Sequence, residues 1–293
     1  MKRKLKDIVI KTVDNFSPIS GDIALNQGIN IYSNKCIKYH RYLSKFRDRI
    51  LNNNKLIDYV KKSPSESQID FVDVLNFVDI SKILTSKMCA DINMYLGSGS
   101  KLDSSCLSIM NLEKPKSNDI KKNNSGIMHH DSVGHRLKYF LPLNSSGNKN
   151  YPTSYVKGSN TFKWKTYLND KISSDQRIPN DVLKQFPETV ESENIINFGE
   201  SFIFDTNGIH SGCYNYNAEP RLTIQLEFSR FKTLLPGKVG QSVIYLNEEN
   251  KKFLLKNNFI RKSKLKRKTS ELYKLGDRNH NSNSNLLCSY FIN

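Results

Sequence analysis

The chain has no long apolar run. No stretch approaches the ~20 apolar residues needed to cross a bilayer. The triplet Ile8-Val9-Ile10, behind a basic start, is too short for a signal-peptide core. Five cysteines (Cys36, Cys89, Cys106, Cys213, Cys288) are scattered, odd in number and without a Cys-x-x-Cys pair. This argues against a structural zinc site and predicts a reducing, cytoplasmic setting. Cys213 is read as a small core residue. Proline and glycine, at 9 and 14 of 293 residues, are ordinary, so the chain is neither fibrous nor wholly disordered. No internal repeat is present. Hydrophobic residues at 37% and aromatics at 10% suffice for a sizeable core.

The charge of +17 is uneven. Residues 1–62 hold 14 Lys+Arg against 5 Asp+Glu, and residues 251–293 hold 11 against 2, while the middle is nearly neutral. The densest run is Arg261-Lys262-Ser263-Lys264-Leu265-Lys266-Arg267-Lys268. It is read as a solvated tail. Any contact with nucleic acid would be driven by phosphate charge and would fall steeply with salt, because no aromatics interleave the lysines.

At this length the chain holds one large domain or two small ones. The expected organisation is a helical lead-in over 1–100 packed on the core, a β core over 101–250 and a basic extension over 251–293. Apolar positions in 36–60 are loosely helical, and the dense apolar run in 69–96 predicts one or two buried helices. Strands are expected at 104–111, 136–143, 152–156, 200–205, 210–215 and 221–229. Segments 113–126 and 144–150 read as loops, and 160–193 as an insertion with some helix. Many short strands after a helical lead-in predict an antiparallel double sheet.

Two segments about eighty residues apart carry the chemistry. The first is Met128-His129-His130-Asp131-Ser132-Val133-Gly134-His135-Arg136, and the second is Phe204-Asp205-Thr206-Asn207-Gly208-Ile209-His210, followed by Arg221 and Thr223. Two imidazoles and one carboxylate on one face of an octahedron leave three adjacent positions free, which suits an iron(II) ion that binds a 2-oxo acid and oxygen. His129 and Asp131 stand two apart, and residues two apart in extended chain point to the same side. His210 supplies a third ligand from another strand. His130 is adjacent to the pair and is read as a neighbour facing away; His135 is read as a strand-start histidine. The far carboxylate of the keto acid needs a forked, permanent cation, and Arg221 meets that need better than a lysine would. The segment Arg221 to Ser229 alternates polar and apolar. Its polar face could meet water; the upstream His210 favours a cavity instead, in which Arg221 and Thr223 grip a dicarboxylate.

These residues resemble the phytanoyl-CoA dioxygenase family of iron(II)- and 2-oxoglutarate-dependent oxygenases. His129-His130-Asp131 resembles its His-x-Asp motif. Gly199-Glu200-Ser201-Phe202-Ile203-Phe204-Asp205, leading to His210, resembles its Gly-Asp-x-x-x-Phe stretch before the distal histidine. Arg221-Leu222-Thr223 resembles its Arg-x-Ser/Thr signature. Gly158-Ser159-Asn160 is similar to a Gly-Ser-His found midway, with Asn160 in place of the histidine. The resemblance spans roughly residues 100 to 230. It implies a double-stranded β-helix (jelly roll, cupin-like). It also implies Fe(II) held by His129, Asp131 and His210, and 2-oxoglutarate held by Arg221 and Thr223 with Ser211 as a further contact. It further implies O2 as the oxidant, with carbon dioxide and succinate released as a small-molecule or carrier-bound acyl substrate is hydroxylated. Halogenation is disfavoured, because Asp131 occupies the position a halide would need. Arg136, Lys138 and Trp164 are candidates for the substrate side. Two other readings are a nucleic-acid-directed oxygenase using the basic ends, and a non-catalytic jelly-roll module that binds metal without turnover.

Overall fold

The computed structural model describes residues 27–33, 37–54, 56–58, 68–72, 74–97, 100–110, 128–131, 136–143, 153–161, 178, 183–184, 189–191, 199–212, 221–229 and 248–260. The expected loops at 113–126 and 144–150, most of the 160–193 insertion, Trp164, His135, Cys213, the basic run 261–268 and the side chain of Arg221 lie outside the described residues.

Among the described residues nine strands form two antiparallel sheets. The large sheet has the order β1-β7-β4-β9-β3-β2, from β1 (Ile29–Tyr32), β7 (Ser201–Asp205), β4 (Arg136–Pro142), β9 (Arg221–Ser229), β3 (Lys101–Met110) and β2 (Gln68–Val72). The small sheet has the order β6-β5-β8, from β6 (Thr189–Glu191), β5 (Thr153–Val156) and β8 (His210–Gly212). Tyr155 of β5 packs against Phe204 of β7, in one cluster with Ile29 and Phe202, so an apolar layer joins the two sheets. This is the expected double-stranded β-helix.

Helices cover the other face of the large sheet. They are α1 (Ile37–Leu51), α2 (Ile80–Ile83), α3 (Ser86–Leu96) and α4 (Glu248–Lys256). In α1, Tyr39, Leu43, Phe46 and Ile50 recur at helical spacing and are buried, while Lys38, Arg41, Lys45, Asp48 and Arg49 are exposed. The buried stripe joins one core with Ile83, Met88, Ile92 and Leu254 of the other helices and with Leu107, Leu137, Tyr139, Leu141, Ile203, Leu222, Ile224, Leu226 and Phe228 of the sheet. Thr85 caps α3 by accepting from the Met88 amide at 3.3 Å. Asn250 of α4 is fully buried. It accepts from the Ile80 amide at 2.8 Å and donates to the Leu75 and Val78 carbonyls at 2.6 and 2.9 Å, which ties α4 to the start of α2.

One expected helical stretch begins as strand. Residues 68–72 are a strand on the edge of the large sheet, paired with β3 from Gln68↔Met110 to Val72↔Cys106. The run 69–96 is expected to hold one or two buried helices; Ile80–Ile83 and Ser86–Leu96 are those helices, and the start of the run is strand instead. A short apolar run fits a buried strand as well as a buried helix. The lead-in therefore supplies both edge strands, β1 and β2, as well as α1 to α3. Among the described residues no helix is long and apolar enough to cross a membrane.

Candidate metal centre

The antiparallel register of β9 explains why one strand serves two environments. Leu222, Ile224, Leu226 and Phe228 turn to the helices and the main core. Thr223, Gln225 and Glu227 therefore turn to the space between the sheets. Both faces are covered, so Thr223 is buried although polar. The same holds for β4, where Leu137, Tyr139 and Leu141 face the helices and Arg136, Lys138 and Phe140 face inward. Cross-strand pairing sets Lys138 beside Glu227 and Arg136 beside Ser229. The alternation thus produces a polar inner wall.

His129 and His210 stand directly opposite each other at an antiparallel bridge. They exchange both backbone bonds, His129 N–H to His210 O at 2.9 Å and His210 N–H to His129 O at 2.8 Å. Residues directly opposite point to the same side, and the two rings lie 4.5 Å apart between centroids. The Asp131 amide is fixed by the Thr206 carbonyl at 2.9 Å. Asp131 Oδ1 then lies 3.9 Å from His129 Nε2 and 4.0 Å from His210 Nε2. One ligand atom from each of the three falls within 4.8 Å of the others, and among the described residues this is the grouping that could hold a metal ion.

The protonation states suit that use. His210 Nδ1 lies 2.8 Å from the Gly208 carbonyl. A carbonyl only accepts, so Nδ1 carries the hydrogen and Nε2 keeps its lone pair facing the group. Burial pushes the His210 imidazole down to about 3, which keeps it neutral. Phe204 packs its ring edge on His210 at 5.1 Å. Burial alone would raise the Asp131 carboxyl, but the Lys138 ammonium overrides it, with Arg136 behind, and holds the carboxyl well below the usual carboxylate range. Lys138 Nζ donates to Asp131 Oδ2 at 2.7 Å, and Arg136 Nη2 lies 3.6 Å from the same oxygen. Arg136 Nη1 donates to Glu227 Oε1 at 2.8 Å.

The remaining candidates fall as follows. His130 is buried, with Nδ1 3.1 Å from the Asp131 carbonyl, and is not one of the three. Thr223 sits on the inner wall between Ser108 of β3 and Pro142 of β4. Arg221 opens β9 opposite Met110, and its side chain is outside the described residues. Ser211 is paired with Ser154, one residue on from the Tyr155↔His210 pair. The pleat turns it to the opposite face of the small sheet from His210, away from the triad. Arg136 and Lys138, read as candidates for the substrate side, are engaged with Asp131 and Glu227.

Sequence reasoning missed the support around the triad. Ser108 is buried opposite Thr223. Tyr155 flanks His210 and donates to the Asp205 carbonyl at 3.1 Å. Asn160, which departs from the histidine of the resembling motif, donates to the Tyr95 hydroxyl at 2.8 Å. Gly208 admits no side chain, since a Cβ there would meet the Tyr155 hydroxyl oxygen at 1.9 Å. Period-two alternation could have placed Lys138 on one face with Arg136 and Phe140, but it names no partner.

No family model matches the chain, and no curated protein matches it in sequence. Its backbone is similar to solved structures of low identity. One is the non-heme alpha-ketoglutarate-dependent epimerase SnoN of nogalamycin biosynthesis, at 15% identity and a TM-score of 0.44, covering 77% of this chain and 83% of that one. Another is EctD from S. alaskensis, solved with 2-oxoglutarate and 5-hydroxyectoine, at 13% identity and a TM-score of 0.48, covering 74% and 78%. A third is HygX from Streptomyces hygroscopicus, solved with nickel and 2-oxoglutarate, at 10% identity and a TM-score of 0.46, covering 75% and 86%. Likeness at this level carries no argument about chemistry, which rests on the side chains described above.

Proposed function

We propose that this chain is an Fe(II)- and 2-oxoglutarate-dependent oxygenase of the kind the phytanoyl-CoA dioxygenase resemblance implies, hydroxylating a small molecule or a carrier-bound acyl group. The observation that carries the reading is the meeting of His129, Asp131 and His210, from segments about eighty residues apart, with one nitrogen or oxygen each turned to a common point. The donor set fits the ion. Bonds of about 2.1 Å at right angles put ligand atoms roughly 3 Å apart. The oxygen-to-nitrogen separations of 3.9 and 4.0 Å need to close by about that difference, which side-chain rotation can supply.

When bound, the iron and its keto acid supply the oxidising chemistry, and the protein's work is binding, orientation and exclusion of water. His210 presents Nε2 because the Gly208 carbonyl holds the proton on Nδ1. Asp131 stays ionised at any ordinary pH because Lys138 and Arg136 flank it. Thr223 lies on the inward face of β9, and in this reading it and Arg221, two residues before it in sequence, receive the distal carboxylate of the diacid. Phe140, Phe202 and Phe204 form an aromatic group beside the triad, with Phe204 on the His210 ring, and keep bulk water from that side.

The test is a coupled one. Anaerobic addition of Fe(II) and 2-oxoglutarate to the whole chain should give the visible charge-transfer band of a chelated keto acid. Exposure to oxygen should then bleach the band and yield succinate, faster when the right candidate substrate is present. No band and no succinate at saturating iron and keto acid would defeat the proposal.

A further inference from the structure

Asp131 uses its two oxygens differently. Oδ1 faces both imidazoles, at 3.9 and 4.0 Å. Oδ2 faces the other way, onto Lys138 Nζ at 2.7 Å and towards Arg136 at 3.6 Å. The pairing around it is selective. Lys138 and Glu227 are direct cross-strand partners, yet Glu227 takes the hydrogen bond of Arg136, at 2.8 Å, and Lys138 reaches Asp131. Neither member of the pair is more than a quarter exposed, so water competes weakly for Oδ2.

A cation beside a divalent ion is an odd choice if the purpose is affinity. It repels the metal and withdraws charge from one of its ligands. Removing it and letting both carboxylate oxygens turn inward would give a tighter site. Beyond holding Asp131 ionised, what Lys138 adds is therefore geometric. A carboxylate that binds through one oxygen leaves three of six positions open, whereas one that binds through two leaves only two. A chelating keto acid fills two. We propose that Lys138 is a positioning residue that occupies Oδ2, confines Asp131 to a single metal-facing oxygen, and so keeps a coordination position vacant beside the keto acid. This rests on the metal-site reading above.

The experiment counts that position with Mn(II), a spectroscopic probe, on the full chain without keto acid. Water-proton relaxivity per bound Mn(II) reports the number of exchangeable waters. Wild type should carry about three, and Lys138→Met about two, so its relaxivity should fall to about two thirds of wild type. Lys138→Arg keeps a donor on Oδ2 and should stay at the wild-type level. Lys138→Gln is measured in its place if the methionine variant does not fold, and its amide, too short to hold Oδ2, should give the same fall. Three results overturn the proposal: equal relaxivity in the neutral variant and wild type, an equal fall in the neutral and arginine variants, or a folded neutral variant that has lost Mn(II). A wild-type chain that binds no Mn(II) defeats the metal site itself, which separates the two failures.

Discussion

Tyr95 of α3 donates a 2.6 Å hydrogen bond to Asp205 Oδ2, and this bond joins the helical layer to the turn that carries His210. The other carboxylate oxygen accepts the Asn207 amide at 2.8 Å, and the Asp205 carbonyl accepts the Gly208 amide at 3.0 Å. Asp205 is thus the hub of residues 205–208. Tyr95→Phe removes a donor from a buried carboxylate and an acceptor from Asn160. The expected cost is about 1–3 kcal/mol of stability, read from urea melts, with weakened metal binding as the turn loosens. Unchanged values for both would mean that the turn is held by its backbone alone.

Gly208→Ala should be among the most damaging small substitutions. The new methyl carbon would meet the Tyr155 hydroxyl oxygen at 1.9 Å and ring carbon at 2.3 Å. Tyr155 is itself fully buried and cannot swing out. We expect a loss of about 3 kcal/mol or more by thermal or chemical melts, together with loss of the His210 Nδ1 contact to the residue 208 carbonyl. A variant as stable as wild type would contradict the packing described around Tyr155.

His210→Ala deletes one of three proposed ligands while leaving the backbone bridge to His129 intact. Succinate formation should be abolished, and the affinity for Fe(II) or Mn(II), measured by calorimetry, should fall by at least tenfold, or about 1.4 kcal/mol. Far-UV circular dichroism should not change. Succinate formation at the native rate would remove His210 from the site.

Arg221→Lys tests the proposed grip on the diacid. A point charge loses the paired N–H contacts of a guanidinium, so the concentration of 2-oxoglutarate needed for half-maximal turnover should rise about tenfold with little change in metal affinity. An unchanged 2-oxoglutarate dependence would reassign the anchor.

Alkali should unfold the protein through its tyrosines. Burial raises Tyr32, Tyr39, Tyr42, Tyr95, Tyr139 and Tyr155 above the ordinary phenol value of 10.0, with Tyr39 pushed up to about 12. The folded state then holds these protons more tightly than the unfolded one. Their contribution is complete below about pH 10 and is lost as pH rises from there through the folded values. Ultraviolet titration should find this group of the 14 tyrosines silent until the fold is lost. Smooth ionisation of all of them with the fold intact would contradict their burial.

How legible was this in the sequence? The strands from Arg136, Ser201 and Arg221 begin where turn residues and alternation place them. The common side of His129 and Asp131 follows from their spacing, because extended backbone alternates direction, whereas His210 joins them through its bridge to His129. Alternation could not say which side of β9 is the interior, since helices cover one face and the small sheet the other. It could not identify the strand at Gln68–Val72 either. There, edge pairing with β3 decides the conformation, and that partner is remote in sequence. The Lys138 contact was hidden for a related reason. A cation on a polar face ordinarily meets water, and only the second sheet closes that face.

The bridge between residues 129 and 210 has a thermodynamic consequence. Bringing together two points about eighty residues apart carries a loop-closure entropy, and here two main-chain bonds and the sheet around them already meet it. An incoming ion would find its ligands gathered beforehand. In small zinc modules, by contrast, the metal must itself organise the chain. The apoprotein should therefore melt cooperatively, and saturating metal should raise its melting temperature without changing the steepness of the transition with denaturant.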